Sequence, residues 1–168
     1  MDVFIPCEED RRGDFSRVEM RDHVKTLEKV LVPIASEKDF FRMYDALLTD
    51  ESGFLANRSS LLAAWKRGAE LYTLQIKETD ALFEDHELRM KLARFADPYF
   101  PNSSYLILPV FCWRDAGDVC IMLWTAQRVR KLGLAKELVQ KLGIARVYHP
   151  LPESLPFWHH LGIPEHEK

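Results

Sequence analysis

CIMLWTAQRVRKLGLAKELVQKL, residues Cys120 to Leu142, begins as an apolar run, breaks into a basic segment and resumes with helical spacing. Val119 to Thr125 has the β-branched and aromatic composition of a strand, while Leu134, Ala135, Leu138, Val139 and Leu142 share one face at helical period. The stretch predicts a strand feeding into a helix, with Arg128, Arg130, Lys131 and Gly133 at the junction. A helix start holds backbone N–H groups without helical acceptors at the positive end of its dipole, and such amides bind anions. Glycine there lets a ligand approach the backbone without a Cβ in the way. The plainer reading is a helix start dressed with solvated cations.

Working outward, IARVYH (Ile144 to His149) reads as a strand after the helix. The unit is then strand–helix–strand, which places the anion site at the carboxyl edge of a parallel pair. Upstream, YLILPVFCW (Tyr105 to Trp113) and the strand at Val119 flank RDAGD, a hairpin pattern with Gly117 in its turn. ELYTLQI (Glu70 to Ile76) has strand composition and follows a helix, LLAAWKRG, expected to be capped by Ser59 or Ser60 and to end at Gly68. Val30 to Ile34 reads as a strand that Pro33 confines to an edge or an end. Ser36 and Asp39 form an N-cap pattern for a helix with Phe40, Met43, Tyr44 and Leu47 on one face. The segment Thr79 to Asn102 is helix-like in its middle and stops near Pro98 and Pro101, and PLPESLPFWHHLGI ends in a short helix and a last apolar pair. Cys7 to Arg21 is polar and reads as a weakly ordered arm.

A chain of 168 residues fits one domain, and its net charge of −3 disfavours a non-specific polyanion binder. No apolar run approaches the roughly 18 residues of a membrane span, and the N-terminus lacks signal-peptide order, so a cytoplasmic protein without membrane contact is expected. The three cysteines, Cys7, Cys112 and Cys120, show no C-x-x-C spacing, which argues against a disulfide framework and against zinc. Arg12-Gly13-Asp14 and the sequons at Asn57 and Asn102 need export to matter and are read as incidental.

Arg130-Lys131-Leu132-Gly133-Leu134-Ala135 follows the pattern R/Q-x-x-G-x-G/A, and Ser154-Leu155-Pro156-Phe157-Trp158-His159-His160-Leu161-Gly162-Ile163 looks like A-x-x-F-Y-x-x-L-G-F. In this order and at this separation the two motifs resemble the GNAT superfamily of acyl-CoA-dependent N-acyltransferases. The resemblance implies an α/β (α+β) fold: a single GNAT-like domain over 26–168, a mixed central sheet flanked by helices, after a polar N-terminal arm over 1–25. It implies acetyl transfer from acetyl-CoA to an amine by direct attack in a ternary complex, the acceptor being a small-molecule amine or a protein amine, with homodimer formation open. The backbone of Arg130, Lys131, Leu132, Gly133, Leu134 and Ala135 would hold the diphosphate. Leu123, Trp124 and Thr125 would line the pantetheine arm, with an N–H at Leu123 or Trp124 polarising the thioester carbonyl, and Phe157 and Trp158 would close the cofactor site.

The sequence also departs from the family. Trp158 stands where the family's tyrosine acid is common, Leu151 stands near the place of a frequent asparagine, and Val119 to Thr125 carries no carboxylate. The proton carriers left are Tyr148, His149, Glu153 and the pair His159-His160, and ahead of each stands the plainer reading: a packed tyrosine, surface histidines and a glutamate at a helix start. His159 and His160 are adjacent, point to different helix faces and make no metal pair; no metal is expected. Cys120, Trp113 and Trp124 read as packing residues, and the EDHE run at Glu84 to Glu87 as a solvated helix face or an attractor of cationic acceptors. A catalytically degenerate GNAT-fold binding or regulatory module is the alternative function. Nucleic-acid binding through Arg128, Arg130, Lys131 and Lys136 is disfavoured by the acidic balance.

Overall fold

The computed structural model describes residues 19–41, 58–96, 106–115, 117–126 and 129–166. In chain order the elements are helix α1 (residues 19–26), β1 (Lys29–Pro33), α2 (37–41), α3 (Arg58–Lys66), β2 (Glu70–Ile76), α4 (Asp80–Glu84), α5 (His86–Ala96), β3 (Ile107–Asp115), β4 (Val119–Thr125), α6 (Leu134–Leu142), β5 (Arg146–Val147), a 3-10 turn (Pro152–Ser154) and α7 (Leu155–His160). The strands form one sheet in the order β1-β2-β3-β4-β5, antiparallel except for the parallel pair β4–β5. This is a single mixed α/β domain, a central sheet flanked by helices.

Each sheet face has its own core. On one face Leu134, Leu138, Val139 and Leu142 of α6 pack with Leu92 and Phe95 of α5, Trp158 of α7 and the strand residues Leu74, Leu108, Val110, Cys112 and Cys120. On the other, Phe40 of α2 and Leu61 of α3 cover Leu71, Phe111 and Trp113. Strands buried on both faces read as continuous apolar runs, which is why Ile107 to Trp113 carries no polar alternation. The ring of Phe40 stacks on Trp65 at 5.4 Å and meets Trp113 edge-on at 6.1 Å.

Pro109 sits in the middle of central strand β3, where a missing N–H is normally excluded. The ladder absorbs it with a bulge: Thr73 pairs with Phe111 and Leu74 with Leu108, so Pro109 and Val110 stand outside the β2 register. The buried Thr73 hydroxyl shares its proton between Leu108 O at 2.9 Å and Val110 O at 2.8 Å, satisfying carbonyls at the irregularity.

Several sequence expectations need correction. The helix before β2 starts at Arg58, so Ser59 and Ser60 lie inside it rather than at its cap. The strand expected over Ile144 to His149 shrinks to Arg146–Val147. Ile144 and Ala145 are taken by the exit from α6, and His149 adopts a φ of 45° before Pro150, so the segment is extended only at its centre. Residues 19–21, the end of the segment expected to be weakly ordered, are already helical, in a helix that runs to residue 26 with Met20 and Val24 in the core. The expected helix residues Met43, Tyr44 and Leu47, together with Cys7, Pro98, Pro101 and Arg128, lie outside the described residues. Ser36 does cap its helix, accepting from Asp39 N at 3.1 Å, and Pro33 closes the edge strand β1.

Candidate functional site

The junction between β4 and α6 is built around Gly133. With φ 77° and ψ 11° it occupies the left-handed region and is the N-cap of α6, without any side-chain cap bond. Glu137 N donates to Gly133 O at 3.0 Å, the first helical bond, so the amides of Leu134, Ala135 and Lys136 have no helical acceptor. A Cβ built at Gly133 would meet nothing within 4 Å, so the space beside this residue is open. Val129 and Leu132 are buried and turn the exposed Arg130 and Lys131 outward, Lys131 at a φ of 65°. The leading amides, the open approach and the two cations suit an anion such as a diphosphate. Glu137 in the first turn opposes it, but that carboxylate is engaged by Lys29 at 3.6 Å and Lys141 at 3.8 Å.

Two guanidinium groups brace the loop. Arg130 Nε donates back to Thr125 O at 2.9 Å, and Arg21 Nη2 of α1 donates to Arg130 O at 2.9 Å. Arg130, expected to raise the local potential, also staples the loop to the end of β4. Arg21 is a contributor that no local sequence signal identifies, because it arrives from 109 residues away.

Next to the loop the sheet opens. Val119 pairs with Arg146 and Cys120 with Val147, and Tyr148 N donates to Cys120 O at 2.8 Å; past that bond no described strand lies along this edge of β4. Trp113 pairs with Met122 and Arg114 with Cys120, so Ile121 is an extra residue, a bulge that bends β4 away from its neighbour. Ala126 N donates to Pro109 O at 2.9 Å, and the two-residue alternation of a strand then turns the amides of Trp124 and Met122 toward β3 and those of Leu123 and Thr125 toward the opening. Of the two residues expected to offer an N–H, Leu123 is therefore the one so oriented. Trp124 is corrected: its amide belongs to the β3 ladder, and its ring stacks on Phe111 at 6.1 Å.

The other candidates separate. Leu132 and Leu134 have buried side chains and offer only backbone, while Leu123, Ala135 and Phe157 are half-buried against one core. Trp158 is 3% exposed and meets Phe157 edge-on at 5.0 Å, a packing residue of α7. Tyr148 and His149 leave β5 together at the end of the β4–β5 pair, with ring centroids 4.1 Å apart. Glu153 is exposed on the 3-10 turn. His159 and His160 lie exposed at the end of α7, and among the described residues no cluster of histidine, cysteine and carboxylate side chains could hold a metal.

Sequence reading also missed a polar cluster at the opposite end of β4. Arg146 Nη2 donates to Asp118 Oδ1 at 2.8 Å, and its Nη1 lies 3.1 Å from His166 Nδ1. The Arg146 hydrogen bond holds the Asp118 carboxyl below its ordinary range. Val147 N donates to Pro164 O at 3.0 Å and His166 N to Val147 O at 2.7 Å, so the C-terminal segment lies along the outer edge of β5. Among the described residues no helix is long and apolar enough to cross a membrane. Comparison with protein-family models, with curated proteins and with solved structures finds no match to this chain.

Proposed function

We propose that the protein is a GNAT-like acetyltransferase that uses acetyl-CoA and an amine acceptor, a small molecule or a protein amine. The observation that carries this reading is the adjacency of two features: a helix start led by Gly133 with open space at that residue, and a β4 edge that no described strand pairs past Cys120, with Leu123 N–H turned toward it. The first suits a diphosphate. The second suits an extended amide-bearing arm, which would take the place of a missing strand.

When bound, acetyl-CoA supplies an activated thioester. The amides of Leu134, Ala135 and Lys136 would hold the diphosphate end, in a loop braced through Arg130 and Arg21. Leu123 N–H would be the donor to the thioester carbonyl, and Tyr148 and His149, at the vertex of the opening, would be the groups to carry the acceptor's proton. Attack is direct, so no residue serves as a covalent nucleophile. The cytoplasm, with its acetyl-CoA and its reduced thiols, is the compartment this reading implies.

A second reading has one observation in its favour. Trp158 is buried in the core where the family's acid is common, and an indole N–H is no proton donor for a leaving thiolate. A module that binds CoA without turnover would have that composition. Saturable acetyl-CoA binding followed by acetylation of amines in a mixed acceptor panel supports the enzyme. Binding with no product across the panel supports the module, and failure to bind removes the enzyme.

A further inference from the structure

Cys112 on β3 and Cys120 on β4 bring their sulfurs to 3.6 Å, and neither side chain is exposed. Cys112 lies opposite Leu123 and Arg114 lies opposite Cys120, so the contact runs diagonally across the ladder, beside the extra residue Ile121. Cys120 is also the last β4 residue that holds the β5 side, through its carbonyl and Tyr148 N. The pair thus sits at the vertex where the sheet opens. Neither sulfur is used in the acetyl-transfer reading.

We propose that Cys112 and Cys120 form a modification site: a dithiol that a small peroxide closes into an intrachain disulfide. Cys120 Sγ attacks one peroxide oxygen, the O–O bond breaks, and a sulfenic acid and one water result. Cys112 Sγ then attacks the sulfenic sulfur; the S–S bond forms, the S–O bond breaks, and the hydroxide leaves with the Cys112 proton as a second water. The two thiols lose two electrons in total, which the peroxide accepts.

Geometry favours this closure. The sulfurs are 3.6 Å apart against about 2.05 Å in a disulfide bond, and because the pair is diagonal across the ladder, closure also draws β3 and β4 together at the bulge. Cys112 donates its S–H to Cys120, and that bond together with burial pushes the Cys112 thiol pKa up, which disfavours Cys112 as the first attacker. Access comes at the vertex, where the β4–β5 ladder ends and local opening needs the fewest broken bonds. A peroxide is close to water in size and needs only a small opening. Once formed, the bond would tie β4 to β3 beside Leu123 and fix the width of the gap.

The test uses the folded full-length Cys7→Ser protein, which removes the third thiol. It is treated with hydrogen peroxide at neutral pH while circular dichroism reports that the fold persists, then alkylated in denaturant and mapped by mass spectrometry. The expected product has lost two hydrogens, joins the peptides of Cys112 and Cys120, reverts with dithiothreitol and has a raised urea midpoint. In a Cys112→Ser background a dimedone adduct is expected on Cys120. Free thiols at both positions after treatment, or sulfinic acid without a crosslink, would overturn the proposal. The mapping decides by itself should the serine variant fail to fold.

Discussion

Tyr148 donates its backbone N–H to Cys120 O at 2.8 Å, and this bond is the last described link between β4 and β5. Ile121 bulges, the two strands part, and an edge amide at Leu123 faces a gap that ends at the Gly133 loop.

Gly133 is expected to matter through its backbone rather than through crowding. A Cβ there meets no atom within 4 Å, but a φ of 77° costs a non-glycine residue about 1–2 kcal/mol. Gly133→Ala should lower stability by that order in urea denaturation, and Gly133→Gln should in addition block the diphosphate's approach. Unchanged stability in Gly133→Ala would contradict the left-handed conformation.

Arg21→Ala should weaken acetyl-CoA binding while leaving Met20 and Val24 packed. A net hydrogen bond contributes about 0.5–1.5 kcal/mol, which is roughly two- to tenfold in affinity. Titration of the variant beside the parent protein measures this. Identical affinity would show that the loop holds its shape without the brace.

Met20→Ala tests whether α1 belongs to the domain. The side chain is 3% exposed in the main core, so truncation should cost about 2–3 kcal/mol. A denaturation midpoint equal to that of the parent would return this segment to the weakly ordered arm.

Thr73→Val should cost about 1–3 kcal/mol despite its matched shape, because the Leu108 and Val110 carbonyls lose their shared donor at the Pro109 bulge. Urea denaturation is again the measurement, and a neutral result would mean that the bulge rearranges to satisfy them.

Asp118 sets a pH dependence. Its carboxyl is held down first by the Arg146 hydrogen bond, with smaller charge effects from Arg146 and His166. A folded pKa below the unfolded one contributes stability that is present above the unfolded value and lost as pH falls through the folded value. Asp118→Asn should therefore flatten the acid limb below the ordinary aspartate range by removing the small stability that this exposed pair contributes near neutrality. A variant with the parent's acid limb would contradict the pairing.

Composition carried most of the sheet. β2 spans Glu70–Ile76 as its sequence reads, and the hairpin turns at Gly117, because continuous apolar runs separated by turn residues leave few other solutions. Helix α1 escaped because Met20, Val24 and Leu27 form a narrow stripe in an otherwise charged segment, and only tertiary packing gives that stripe a partner. At the site, Gly133 and the basic loop were visible as a local pattern. The Ile121 bulge, the short β5 and the reach of Arg21 were not, since pairing register and a contact across 109 residues leave no mark in composition or spacing.

Calorimetric titration of the full-length protein with acetyl-CoA, at physiological salt and without acceptor, tests the central claim most directly. The account predicts saturable binding at micromolar concentrations that Gly133→Gln abolishes; heats that never saturate in a folded parent protein, or equal affinity in the folded variant, would contradict it.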